Sequence, residues 1–206
     1  MQGHVAVITG SSRGLGLAMA QACAAAGAAV VIASRSADAV EAAVAQIRTA
    51  GGRASGIACD VGNATEVEAL RDHALATFGR LDMWVNNAGI AGVYGPTLAV
   101  PPVHFERVVR TNILGVYFGS FVAMQHFVAQ NQGVLINLLG RGDKSPVPLQ
   151  NAYGSSKAWN LHFTKALARE GWQRLWGSPR PVLDIHVRTV SGTVSGAVGA
   201  DGGTGI

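Results

Sequence analysis

Short all-apolar runs alternate along this chain with longer, Ala-rich segments, and glycines or capping residues separate the two. Val5 to Ile8 is apolar throughout and stops at Thr9-Gly10, and an Ala-rich segment from about Leu15 to Ala26 follows before Gly27. The pattern predicts a strand, then a helix closed by a C-terminal glycine. The unit repeats, with a strand at Ala29 to Ala33, a helix at Ala37 to Ala50 ended by Gly51-Gly52, and a strand at Ala54 to Cys59. Thr65-Glu66-Val67-Glu68 then reads as a capping box opening a helix that Gly79 closes. Leu81 to Val85 is a fourth strand, and a Gly and Pro loop from Gly89 to Pro102 leads into a long helix over about His104 to Gln130. Gly133 to Leu139 is a fifth strand, Ala152 to Glu170 a further helix, and the alternation in Val182 to Val190 a sixth strand. Strands apolar on both faces that alternate with helices specify a parallel sheet covered on both sides, an α/β doubly wound fold.

Length agrees with one such unit: 206 residues, 49% hydrophobic and 14% charged, suit a single domain over 1–190. Residues 191–206 are mostly Gly, Ser, Thr, Val and Ala, and are expected to form a disordered tail. The longest run without polar side chains, Ala22 to Ala33, is broken by Gly27 and falls short of the roughly 18 residues of a membrane span. With no basic, cleavable leader, the expected location is cytoplasmic. Cys23 and Cys59 read as buried thiols, and the six histidines show no metal-ligand spacing, so no metal is expected. The net charge of +4 comes from scattered Lys and Arg, which argues against a nucleic-acid partner.

The first candidate chemistry lies where the first strand meets the first helix. Gly10-Ser11-Ser12-Arg13-Gly14-Leu15-Gly16 places glycines where a pyrophosphate can approach the backbone and the free N–H groups of a helix N-terminus. A turn that simply needs flexible glycines would read the same way. At the end of the second strand, where a carboxylate would bind the ribose of NAD, stand Ser34 and Arg35. With Arg13 they suit a 2′-phosphate, so NADP is favoured over NAD. The alternative is a pair of solvated arginines.

Tyr153 and Lys157 are spaced i and i+4 on a predicted helix and share a face. An ammonium about 4 Å from a phenol contributes roughly 4 kcal/mol at an effective dielectric near 20. That would lower the Tyr153 pKa into the range of general acid–base work.

In combination these residues resemble the short-chain dehydrogenase/reductase family over about residues 4 to 170. The glycine loop, Asp60-Val61, Asn86-Asn87-Ala88-Gly89, Thr111-Asn112 and Tyr153 with Lys157 occur in the family's order. The resemblance implies that Asp60 and Val61 border the adenine, and that Asn86, Ala88 and Gly89 line the ribose and nicotinamide side. It further implies that Tyr153 exchanges the proton with the substrate oxygen, that Lys157 holds the nicotinamide ribose, and that Asn112 supports a water in the proton relay. The implied substrate is a small ketone or aldehyde, or the corresponding alcohol; a homo-oligomer is compatible with it.

Two departures qualify this. The family's serine after the fifth strand is replaced, in Ile136-Asn137-Leu138-Leu139-Gly140, by Gly140, which removes a positioned donor worth roughly 10²-fold in rate. Ser145, or the backbone of Gly140 or Gly142, would be the substitute. The chain is also expected to lack the family's lid and last strand, so the rival reading is an NADP-binding sensor or partner subunit without turnover. Gly10-Ser11-Ser12-Arg13-Gly14 fits a hydrolase nucleophile elbow as well, but only one strand precedes it.

Overall fold

The computed structural model describes residues 1–172 and 184–190. The strands are β1 (Val5–Thr9), β2 (Ala29–Ser34), β3 (Arg53–Ala58), β4 (Met83–Asn86), β5 (Gln132–Leu138) and β6 (Asp184–Val190). All pair in parallel, in the order β3-β2-β1-β4-β5-β6. The order reverses between β1 and β4, and such a reversal leaves a crevice beyond the C-terminal ends of the strands, where ligands bind in doubly wound sheets. The expected tail at 191–206 lies outside the described residues.

The helices are α1 (Gly14–Ala25), α2 (Ala37–Thr49), α3 (Ala64–Phe78), α4 (Pro102–Val108), α5 (Gly115–Gln130) and α6 (Asn151–Trp172). Two details correct the sequence reading. The cap of α3 is Asn63, whose Oδ1 accepts from the Thr65 backbone amide at 3.1 Å while its side-chain Nδ2 donates to the Glu66 carboxylate at 2.8 Å, so the capping residue lies two residues before Thr65. The long helix expected from His104 to Gln130 is divided by a wide π turn, Val109–Leu114. Left-handed residues end two helices: Gly79 (φ 75°) closes α3 and Asn131 (φ 57°) closes α5.

Alternation along each strand divides the core between the sheet's two faces. Ala6, Ile8, Val30 and Ile32 pack with Ala20, Ala24, Val40, Val44 and Ile47 of α1 and α2. Val7, Val31, Trp84 and Leu135 pack with Val67, Leu70, Val122 and Phe127 of α3 and α5, and Leu167 of α6 joins them. Each fully buried aliphatic contributes about 1.5–3 kcal/mol relative to exposure. The span Pro102–Gln130, at mean hydropathy 1.2 over its most apolar window, is long and apolar enough to cross a membrane, but half of that window is buried in the fold. Its apolar side is used as core.

Candidate active site

Parallel pairing brings the ends of β1, β2, β3, β4 and β5 to one edge of the sheet, and the sequence-predicted residues gather there. Gly10 (φ 63°) and Gly14 (φ 57°) take left-handed conformations that let the loop leave β1 and turn into α1. The fit is close: a Cβ on Gly10 would stand 2.8 Å from Ala88 Cα, and one on Gly16 2.8 Å from Ser11 Cα. Ser11 fastens the loop to β2, donating to the Ile8 carbonyl at 2.5 Å and accepting from the Ala33 amide at 3.1 Å. Asn87 fastens it to β4, with its side-chain amide on the Thr9 and Gly10 carbonyls at 2.9 and 3.0 Å. Thr9 Oγ1 in turn accepts from the Asn87 and Ala88 amides.

The N-terminus of α1 differs from those of α2 and α3. Ser36 caps α2 and Asn63 caps α3, whereas Arg13 at the start of α1 makes no side-chain cap and no acid stands in the first turn. The first-turn N–H groups are left for another acceptor, and the helix dipole favours an anion there. Ser12 is half-buried and Arg13, Gly14 and Leu15 are exposed. These residues fit a phosphate-bearing group. Ser34, half-buried, and Arg35, exposed, end β2 at the same sheet edge.

Four of the expected site residues have duties inside the protein. Asp60 Oδ1 accepts from the Gly62 amide at 2.9 Å, and the Asp60 amide donates to Glu66. Val61 is buried with its methyl under Gly115, where a Cβ would come within 2.6 Å of it. Asn86 is 3% exposed, with its side chain turned into the core. Its Oδ1 accepts from the Trp84 indole at 2.8 Å, and its Nδ2 donates to Asn137 Oδ1 at 2.8 Å, Ser120 Oγ at 3.1 Å and the Val116 carbonyl at 3.3 Å. Asn112, in the π turn, is also committed. Its Oδ1 accepts from the Ile90 amide at 2.9 Å and its Nδ2 donates to the Ile90 carbonyl and to Ser156 Oγ. Ala88 is half-buried beside Gly10, and Gly89 is exposed.

On α6, Tyr153 and Lys157 stand one turn apart, with Lys157 Nζ 5.6 Å from the centre of the Tyr153 ring. Lys157 is buried and donates to the Leu138 carbonyl at 2.9 Å. Burial lowers its pKa from the usual lysine range. Burial, with the Asp143 carboxylate adding to it, raises Tyr153 above an ordinary phenol. The shift is opposite to that expected from Lys157 alone, because burial and the Asp143 carboxylate dominate it. The Tyr153 hydroxyl lies where a Cβ on Gly140 would be, and that Cβ would also stand 3.5 Å from Lys157 Cε. Ser145 is exposed in the following loop. Ser156 donates to the Tyr153 carbonyl at 2.7 Å and so connects Asn112 to the helix that carries the pair.

The supporting positions not singled out from the sequence are Thr9, Ser11, Asn87 and Ser156. All four lie inside or beside the quoted motifs, so adjacency is a usable signal.

A family model described as short chain dehydrogenase matches residues 4–174. The 4-formylbenzenesulfonate dehydrogenase of Comamonas testosteroni is 39% identical over 167 residues, covering 81% of this chain and 66% of that protein. The 3beta-hydroxysteroid dehydrogenase 1 of Eggerthella lenta is 40% identical over 172 residues, covering 82% and 66%. The chain thus spans just under two thirds of the length of these curated relatives. Among solved structures, a metagenomic short-chain oxidoreductase in complex with NADP superposes with a TM-score of 0.82 at 32% identity, covering 94% of this chain and 84% of that one. A short chain dehydrogenase/reductase from Burkholderia phymatum in complex with NAD gives 0.84 at 29% identity, covering 92% and 65%.

Proposed function

The chain belongs to the short-chain dehydrogenase/reductase family, and on that premise we propose that it is an NADP-dependent oxidoreductase acting on a small ketone, aldehyde or secondary alcohol. The observation that carries the reading is the placement of Tyr153 and Lys157 at the same sheet edge as the uncapped N-terminus of α1. A nicotinamide cofactor bound there supplies the hydride acceptor or donor. Gly10, Ser12, Gly14, Leu15 and Gly16 would hold its pyrophosphate on backbone N–H groups. Arg13, Ser34 and Arg35 would take the 2′-phosphate, whose charge suits guanidinium forks better than a ribose hydroxyl would. Asp60, Val61, Ala88 and Gly89 would border the remainder, and Lys157, with two ammonium protons not used on Leu138, would hold the nicotinamide ribose.

Tyr153 gives a proton to the substrate oxygen during reduction and takes it back during oxidation. Burial and the Asp143 carboxylate raise its pKa, which works against the lowering expected from Lys157 and makes the proton harder to give. Asn112 serves through its hold on Ile90 and Ser156, since both protons of its side-chain amide are engaged. Gly140 favours a second reading, an NADP-binding protein with little turnover, because it offers no hydroxyl to the substrate.

Thermal unfolding with NADPH and with NADH tests the cofactor. A ligand at a hundred times its Kd adds about 2.7 kcal/mol, and NADPH is expected to exceed NADH, with its lead lost in Arg35→Ala. Equal shifts would remove the 2′-phosphate reading. Turnover on a carbonyl panel then separates the readings: rates abolished by Tyr153→Phe support the enzyme, and NADPH binding without turnover supports the sensor.

A further inference from the structure

The Leu138 carbonyl that receives the Lys157 ammonium at 2.9 Å also receives the side-chain amide of Asn160 at 3.1 Å. Asn160 is one helical turn beyond Lys157 and fully buried, in a place where an apolar residue would pack without hydrogen bonds. A buried amide is costly unless its polar atoms are satisfied. They are satisfied here by a single directed chain. The Trp84 indole, which can only donate, gives to Asn86 Oδ1 at 2.8 Å. Asn86 Nδ2 gives to Asn137 Oδ1 at 2.8 Å, and Asn137 Nδ2 gives to Thr164 Oγ1 at 2.9 Å. The Thr164 hydroxyl has one proton, shared between the Asn160 backbone carbonyl at 2.7 Å and Asn160 Oδ1 at 3.1 Å. Asn160 Nδ2 ends the chain on Leu138, whose carbonyl can only accept. Both ends are fixed in polarity, so every amide between them has one allowed orientation.

We propose that Asn160 is a positioning residue for Lys157: as the last link of this chain it holds the Leu138 carbonyl in the direction from which it anchors the ammonium. The location explains why an anchor is needed. Leu138 is the last residue of β5, and Leu139 and Gly140 follow it into the loop on which the Tyr153 hydroxyl rests. A peptide at a strand end followed by glycine is free to rotate unless something grips it. Rotation at Leu138 would disturb both the lysine's acceptor and the surface under Tyr153. The effect on turnover rests on the role given to Lys157 above; the effect on the ammonium does not.

The test uses that independence. The chain has three lysines, Lys144, Lys157 and Lys165, so a proton–nitrogen spectrum of the full chain labelled at lysine Nζ is simple, and Lys157→Arg assigns its signal. The native protein is expected to show a slowly exchanging Lys157 ammonium. In Asn160→Leu that signal is lost to solvent exchange, and kcat on any substrate the native chain turns over falls about 10- to 100-fold, as a reacting group displaced by an ångström would cause. Ser120→Ala, on a side branch of the network, keeps both. Asn160→Asp has the same shape, still accepts from Thr164 and cannot donate to Leu138; there the Lys157 signal shifts as the ammonium turns to the new carboxylate. An unchanged Lys157 signal in either variant that folds overturns the proposal. So does its absence from the native protein, or its loss in Ser120→Ala. If no carbonyl is reduced at all, the oxidoreductase reading fails while the spectra still decide this one.

Discussion

Where α1 and α2 cover the sheet, its strands turn Ala6, Ile8, Val30 and Ile32 toward them, whereas beneath α5 and α6 the same sheet presents Trp84, Asn86 and Asn137. Both faces are closely buried, but by different means. Apolar contacts hold layers together without fixing direction, and a core of aliphatics tolerates volume-conserving exchange. A buried amide network costs stability wherever a partner is missing, and in return fixes which way each group points. The directed face is the one that carries Tyr153 and Lys157. The helix ends repeat the contrast, since Ser36 and Asn63 cap α2 and α3 while α1 has no side-chain cap. Packing builds the platform, and directed or withheld hydrogen bonds build the site.

The largest expected effect removes chemistry and leaves both faces intact. Tyr153→Phe should reduce kcat about 10²- to 10⁴-fold, the usual worth of a positioned acid–base group, while the thermal shift with NADPH stays native. Loss of the shift would mean that the hydroxyl is structural. The next pair sets one face against the other. Asn137→Leu leaves the Asn86 amide and the Thr164 hydroxyl short of partners and should cost about 2–4 kcal/mol in urea unfolding, with a fall in turnover. Ile32→Val, on the apolar face, should cost about 0.5–1.5 kcal/mol and leave turnover unchanged. Equal costs, or equal effects on rate, would break the comparison.

The sequence revealed these two faces unequally. Apolar runs of four to six residues between glycines located β1 and β2, because a strand buried on both sides has few other ways to be written. The glycine loop was legible because glycine at 10 and 14 meets a backbone need that few other residues meet. The place of Asn86 in its motif suggests a residue turned toward the sheet edge, whereas its side chain is buried in the core. Its partners come from β4, β5 and α5, up to 51 residues away, and no local pattern reports them. The π turn at Val109–Leu114 was hidden for a related reason, since the apolar period continues through it. At α3, Asn63 and Thr65 both have capping side chains; the cap is Asn63, whose Oδ1 takes the Thr65 backbone amide while Glu66 reaches back to its side-chain Nδ2 and to the Asp60 backbone amide.

Gly140 sharpens the comparison at the mouth of the site. Adding a side chain there puts Cβ where the Tyr153 hydroxyl lies, so Gly140→Ser should lower stability by about 1–3 kcal/mol through overpacking. A urea midpoint at or above the native value would show that Tyr153 swings aside without strain.

The smallest effect tests the seam between β1 and β4. Asp82 is buried just before β4, where its carboxylate accepts from the Val5 amide at 2.8 Å and from Arg80 through two hydrogen bonds, at 2.8 and 2.6 Å. Its backbone continues the seam, donating to the Val5 carbonyl and accepting from Val134 of β5. Burial alone would raise its pKa, but the Arg80 hydrogen bond, the Val5 amide and the Arg80 charge outweigh that and hold the carboxyl below the ordinary range. A depressed carboxyl contributes stability that is complete above its unfolded value, about 3.9, and is lost as pH falls through the folded value. Urea unfolding from pH 5 downward should therefore show the native chain's lead over Asp82→Asn shrinking below about pH 4. With Arg80 half exposed, its share of that lead should be no more than about 1 kcal/mol, measurable as the difference between native and Arg80→Ala. A lead that persisted unchanged to pH 3 would mean that the seam is held by the backbone pairs of Val5 and Val134, and that the two halves of the sheet meet without help from charge.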